Sequence, residues 1–152
     1  MNVIVTGGCQ CGAVRYRIAG PVAHTHFCHC RMCQRATGGV FAALAGTSKD
    51  KVSWTGEPSV FESSSVAERA FCARCGTPLT FAYKDSPWMN VTVGSLDDPA
   101  AAPIEMHWGV EAKVPWLQLC DGLPEKATGD DLTPQQKARL AGLQSHQGFQ
   151  DR

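Results

Sequence analysis

The stretch Cys28-His29-Cys30-Arg31-Met32-Cys33-Gln34-Arg35-Ala36-Thr37-Gly38-Gly39, CHCRMCQRATGG, puts three cysteines into six positions and closes on two glycines. Thiols this close in sequence rarely reach the geometry that a disulfide needs without distorting the backbone. They are well spaced, however, for delivering several sulfurs to one metal ion from one turn of chain. A short helical turn after Cys30, ending near Gly38, would suit such a loop, because glycine readily takes the left-handed conformation that ends a helix.

Outside this stretch the eight cysteines of the 152-residue chain form CQC (Cys9, Cys11), CARC (Cys72, Cys75) and a solitary Cys120. Seven of the eight thus fall in ligand-like groups, and Cys120 reads as a small buried hydrophobe. The opening residues MNVIVTGGCQ lack the basic and apolar regions of an export signal, and no stretch approaches the ~18 apolar residues of a membrane span. The expectation is therefore a cytoplasmic protein with no membrane partner, in which reduced thiols serve metal chemistry rather than a disulfide framework.

Seven ligands divide most naturally as four plus three. The triplet Cys28, Cys30 and Cys33 can meet one ion, leaving CQC and CARC to close a second site from distant parts of the chain. A closed four-thiolate zinc is structural, whereas three protein ligands leave a position for substrate. Spacing alone leaves other pairings open, such as CHC with CARC. Zinc is the expected metal on ligand softness, and iron is the thiolate-compatible alternative. Three thiolates and Zn²⁺ leave a single net negative charge. Such an ion is a weak Lewis acid that can still hold an incoming thiol as a nucleophilic thiolate, so sulfur chemistry is favoured over water activation.

Composition sets the frame. With 43% hydrophobic and 18% charged residues the chain suits one globular domain, and a formal net charge of zero gives no support for nucleic-acid binding. Charge is nevertheless one-sided: no acid precedes Asp50, while Arg15, Arg17, Arg31, Arg35 and Lys49 all do. This suits thiolate compensation or an anionic ligand, with Arg15, Arg31 and Arg35 as candidates. Arg69 and Arg74 flank CARC and read as balancing its sulfur charge.

Val14, Tyr16 and Ile18 alternate with Arg15 and Arg17, predicting a half-buried strand paired to VIVT in a hairpin with cysteines at its tip. Further short strands are expected at VFAALA, KVSW, SVFE, PLTFAY, WMNVTV and IEMHW, giving a mostly antiparallel β architecture. Thr133-Pro134-Gln135-Gln136 has capping-box form and predicts a peripheral C-terminal helix through QQKARLAGLQ. His29 suits a proton shuttle, although a solvated spacer between ligands is the simpler reading. His107 and Trp108 are expected in the core, and Gly38 and Gly76 serve backbone turns.

GGCQCGAVRY, CHCRMCQRATGG, RAFCARCGTPL and GSLDDP, followed by IEMHW and WLQLCDGLP, together resemble the glutathione-dependent formaldehyde-activating enzyme family, also called the CENP-V/GFA domain, from about Gly7 to Pro124. The resemblance implies a small mostly β fold described as a β-tent, with residues 1–128 as the zinc-binding domain and residues 129–152 as a helical tail. It implies a structural zinc on Cys9, Cys11, Cys72 and Cys75, and a labile zinc with an open position on Cys28, Cys30 and Cys33. The implied activity is that of a carbon–sulfur lyase of the S-(hydroxymethyl)glutathione synthase type. Its partners would be a glutathione-like thiol and formaldehyde or another aldehyde, with Cys28, Cys30 and Cys33 as the catalytic group. A non-catalytic zinc-dependent module that binds or carries a thiol is the alternative.

Overall fold

The computed structural model describes residues 3–143. Strands β1 (Ile4–Gly8) and β2 (Arg15–Ala19) form the expected hairpin, in which Val5 faces Ile18 and Gly7 faces Tyr16. Tyr16 and Ile18 are buried while Arg17 is exposed, as the alternation requires. Strand β5 (Val52–Thr55) adds to β2 and completes a three-stranded sheet.

The remaining strands are β3 (Ala23–Cys28), β4 (Ala42–Ser48), β6 (Ser59–Glu62), β7 (Ala67–Phe71), β8 (Pro78–Tyr83), β9 (Trp88–Thr92), β10 (Met106–Trp108) and β11 (Glu125–Lys126). They form one eight-stranded sheet in the order β11-β10-β3-β4-β9-β8-β7-β6. The protein is thus mostly β, as expected. The antiparallel expectation holds from β3 to β6, but β10 pairs in parallel with both β3 and β11. The long chain between β3 and β10 leaves their relative direction free, whereas a tight hairpin would force it antiparallel.

Helix α1 (Arg31–Thr37) follows β3 directly and ends at Gly38, whose φ of 72° closes it in the left-handed conformation. Helix α2 (Pro134–Ala141) starts on the expected box: the Thr133 hydroxyl accepts from the Gln136 N–H, and the Gln136 side chain accepts from the Thr133 N–H. It buries none of its residues and docks through Arg139, which reaches Asp85 at 2.7 Å and lies over the Tyr83 ring. The expected tail at 129–152 can be followed only to residue 143, and its remainder, including the last residue of QQKARLAGLQ, lies outside the described residues. Among the described residues no helix is long and apolar enough to cross a membrane.

The main core joins the two sheets. Val5, Val14, Tyr16 and Ile18 pack against Leu79, Val91 and Leu96, together with Cys9 and Cys72. The Tyr16 hydroxyl and Ser95 Oγ, 2.7 Å apart, satisfy each other inside it. A second, smaller core gathers Cys28, Cys33, Ala42 and Leu44, with Cys30 and Trp108 against it. Each core therefore carries one cysteine group at its margin.

Candidate metal centres and the cavity beside them

The first cysteine group forms where two turns meet. Cys9 and Cys11 lie in the turn after β1, and Cys72 and Cys75 in the turn after β7. The Gln10 N–H donates to Thr77 Oγ1 at 3.0 Å and ties one turn to the other. Within the second turn the Gly76 N–H donates to the Cys72 carbonyl at 2.8 Å, which curls both sulfurs inward. The sulfurs of Cys9, Cys11, Cys72 and Cys75 all lie within 4.8 Å of one another, with Cys9–Cys11 at 3.6 Å and Cys11–Cys72 at 3.7 Å. Hydrogen bonding from Thr77 draws the Cys75 thiol down to about 5, toward the thiolate a metal requires.

The second group comes from a single strand-to-helix junction. Cys28 ends β3, Cys30 is the N-cap of α1, and Cys33 lies in its first turn. The Cys33 N–H donates to Cys30 Sγ at 3.4 Å, so the sulfur does the capping work usually given to a serine or aspartate oxygen. The three sulfurs lie within 4.8 Å of one another, with Cys28 and Cys30 3.4 Å apart. Hydrogen bonds from Cys28 and Cys30 hold Cys33 well below the ordinary thiol value, against its burial, and Arg69 adds to the effect by donating from Nη2 to Cys33 Sγ at 3.4 Å.

Zinc–sulfur bonds of about 2.3 Å in a tetrahedron set neighbouring sulfurs about 3.8 Å apart. The Cys9–Cys11, Cys11–Cys72 and Cys28–Cys30 separations of 3.4 to 3.7 Å are close to that edge, and all of these cysteines are free thiols. The two groups can therefore each hold a metal ion, and their soft donors fit zinc. No other such group occurs among the described residues.

Behind the triplet runs a polar chain of two buried histidines that ends on the exposed Asp121. His29 Nε2 lies 2.8 Å from His107 Nδ1, and His107 Nε2 lies 3.0 Å from Asp121 Oδ2. The Leu123 N–H, and then His107, hold the Asp121 carboxyl below its usual value, so it can only accept and His107 Nε2 carries the proton. When His107 is neutral its Nδ1 accepts, and His29 Nε2 must then donate. His29 Nδ1 is left as a buried acceptor with no partner. Burial, and then His107, keep the His29 imidazole below its ordinary value. The backbone is held as well: the His29 N–H donates to the Trp108 carbonyl at 2.8 Å, and Gln34 Nε2 donates to the His29 carbonyl at 2.7 Å.

Against the outer side of α1 lies a cavity of about 360 Å³. Met32, Arg35 and Thr37 of α1 form one wall, and Phe61, Ser63, Arg69 and Phe71 form another. Gly76, next to Cys75, also reaches it, so the cavity touches the loops of both cysteine groups.

A family model described as glutathione-dependent formaldehyde-activating enzyme matches residues 4–111. The chain belongs to the glutathione-dependent formaldehyde-activating enzyme family. Among relatives of this family member, an uncharacterized lyase of Schizosaccharomyces pombe is 38% identical over 77 residues, covering 51% of this chain. That match spans 56% of the yeast protein, so the chain covers little more than half of its length. A Halomonas elongata protein named "Putative glutathione-dependent formaldehyde-activating enzyme" is 28% identical over 130 residues, covering 77% of this chain and 82% of its own. A crystal structure of a Rhodobacter sphaeroides protein superposes with a TM-score of 0.48 at 18% identity, over 80% of this chain and 99% of that one.

In this formaldehyde-activating family member the four-plus-three grouping expected from the sequence is the grouping the fold brings together, and CHC does not meet CARC. Three other expectations need correction, and a fourth gains a detail. Cys120 is exposed rather than buried, because it lies in the loop leading to β11, outside both cores. His29 is not a solvated spacer: it is 0% exposed, pinned between β10 and α1. His107 is core, as expected, and is a hydrogen-bonded link there. Arg69 serves the triplet, not the neighbouring CARC turn, because β7 carries it to Cys33. Of the arginines proposed for an anion, Arg15 pairs with Asp97, Arg31 donates to Gln34, and Arg35 lines the cavity.

Proposed function

We propose that the protein is a zinc-dependent carbon–sulfur lyase that adds a small, glutathione-like thiol to formaldehyde or another aldehyde. One observation carries this reading: the group Cys28, Cys30 and Cys33 supplies three sulfurs where tetrahedral zinc takes four ligands, beside a cavity of about 360 Å³. That volume lies within the range usual for small-molecule sites. Family membership and the names of the relatives support the same chemistry.

Cys9, Cys11, Cys72 and Cys75 would hold a structural zinc that clamps the β1–β2 turn to the turn after β7. Cys28, Cys30 and Cys33 would hold the catalytic one, which when bound supplies a charge that keeps an entering thiol deprotonated. In the addition a carbon–sulfur bond forms, the carbonyl π bond breaks, and the thiol proton ends on the carbonyl oxygen. Arg69 steadies the thiolate of Cys33 through its hydrogen bond. Met32, Leu44, Phe61 and Phe71 make the cavity wall largely apolar and limit competing water. Trp108 packs against the small core that holds Cys28 and Cys33.

The test is exchange spectroscopy of glutathione with formaldehyde, with and without zinc-loaded protein, alongside metal analysis. Wild type is expected to carry two zincs and to accelerate exchange, and Cys30→Ser to lose the acceleration while remaining folded. Ligand broadening without acceleration would replace the enzyme with a thiol-binding module. Unchanged metal content after joint replacement of Cys28, Cys30 and Cys33 by serine would overturn the site.

A further inference from the structure

Helix α2 is eight residues long, buries none of them, and lies beyond the residues 4–111 that the family model covers. A helix this short is marginal on its own, so its order depends on what holds it. Arg139 holds it to the sheet: Nη2 donates to Asp85 Oδ2 at 2.7 Å, and Cζ lies 5.0 Å from the Tyr83 ring centre. From there an unbroken row of side chains leads to the triplet. The Tyr83 ring meets the Phe81 ring edge-on with centres 5.2 Å apart, Arg69 Cζ lies 4.8 Å from the Phe81 ring centre, and Arg69 Nη2 donates to Cys33 Sγ at 3.4 Å. Phe81 and Tyr83 are two apart on β8, and Phe81 pairs with Arg69 of β7, so all three side chains stand on one face of the sheet. The backbone beneath the row is fixed separately. Lys49 Nζ donates to the Tyr83 carbonyl at 2.9 Å, and the Lys84 N–H donates to the Val66 carbonyl at 3.0 Å. What α2 can change is therefore the setting of the rings. Burial raises the Tyr83 hydroxyl, and the charges it feels come from both ends of the row: Arg139 lowers it, while Cys30, Cys28 and Cys33 raise it.

We propose that α2 is a latch on the triplet: docked, it clamps Tyr83 and Phe81 so that Arg69 stays on Cys33, and released, it lets Arg69 go so that metal is lost from the triplet faster. The inference rests on the reading of the triplet as a metal site and goes further in giving the helix control of that site alone. The latch point is an ion pair to the exposed Asp85, which dissolved salt screens. Coupling of this kind is reciprocal, so disturbing Arg69 loosens α2 just as undocking α2 disturbs Arg69.

The experiment uses the full zinc-loaded chain. Trypsin cleavage after Lys137, an exposed residue of α2, reads release of the helix, with rates taken relative to the matching free peptide. Transfer of zinc to a coloured chelator reads the two metal sites, the triplet's phase being the one that Cys30→Ser removes. Arg139→Gln loses both the ion pair and the ring contact and should speed cleavage about fivefold or more, and Asp85→Asn, which loses only the ion pair, by less. In both variants zinc should leave the triplet several-fold faster, with the four-cysteine phase unchanged. Unchanged cleavage in Arg139→Gln, unchanged zinc transfer from the triplet, or equal acceleration of both phases would overturn the proposal. Arg69→Met should in turn speed cleavage after Lys137, and unchanged cleavage would overturn the coupling. If that variant does not fold, Phe81→Leu, which removes the ring between the two cations, decides in the same way. If wild type holds a single zinc and Cys30→Ser removes no phase, the metal reading of the triplet falls. Cleavage in Arg69→Met then decides the latch by itself: faster cleavage keeps α2 coupled to the cysteine group, and an unchanged rate overturns it.

Discussion

Replacing Gly109 by alanine tests whether the turn after β10 holds the triplet in shape. Gly109 has a φ of 68° and a ψ of 35°, a left-handed conformation. For a residue with a side chain this costs about 1–2 kcal/mol. The added methyl would also sit 3.1 Å from the Cys30 nitrogen and 3.3 Å from its Cβ, so Cys30 must give way by a few tenths of an ångström. A metal site tolerates only about 0.2 Å in its ligand distances, so a shift of this size falls on the triplet and not on the other four cysteines. The expected result is a fall in melting temperature of roughly 2–8 °C, at about 2–4 °C per kcal/mol for a chain of this size. Cobalt(II) titration followed by sulfur-to-metal charge-transfer absorption should show one of the two sites weakened and the other unchanged. Gly122→Ala is the control: its φ is 69°, but nothing lies within 4 Å of the added methyl, so it should lose stability without weakening either site. Wild-type melting and unchanged cobalt affinity in Gly109→Ala would refute the reasoning.

Three further outcomes are expected. His107→Phe leaves the His29 Nε2 hydrogen without its partner, which should cost about 1–3 kcal/mol, and the double variant with His29→Phe should recover part of that loss because both polar groups are gone; an unchanged urea midpoint in the single variant would contradict the buried histidine pair. Burial lowers the folded-state value of His29, so the unfolded chain takes up protons first: this contribution is complete above about pH 6.5 and shrinks as pH falls below it. Between about pH 7 and pH 5.5 wild type should therefore lose more stability than the double variant, and parallel curves would dismiss the assignment. Cys120→Ser should leave zinc content unchanged and stability within about 0.5 kcal/mol, since the side chain is exposed and outside both clusters, whereas loss of a metal equivalent would give Cys120 a ligand role.

The features that could be read from the sequence were those whose cause is local. Val14, Tyr16 and Ile18 alternate because one face of β2 is buried, and PLTFAY is strand β8 from end to end. The Thr133 box and the Gly38 stop are likewise local signals. Strand β3 escaped notice because its register shifts between Ala23 and His26, where His24 has a φ of 51°, and the bulge breaks the two-residue period. In β7 the charged pair Glu68 and Arg69 hides the strand, although a charge leading into a metal turn was a usable clue. The cysteine grouping was legible because short spacings announce themselves. The contacts that finish the site do not: Arg69 meets Cys33 across 36 positions and His29 meets His107 across 78, and no local pattern encodes such pairings.

The two cysteine groups differ in one more way, which concerns how the protein is made. Cys28, Cys30 and Cys33 span six consecutive positions, so this group is complete as soon as that segment leaves the ribosome. The other group is not complete until Cys75 has been synthesised, and Cys11 and Cys72 are 61 positions apart. Closing a loop of that length costs roughly 3–4 kcal/mol of chain entropy, which metal binding there must offset. An ion captured early would find only the triplet complete, and capture by the four-cysteine group would be a late step that locks the finished topology.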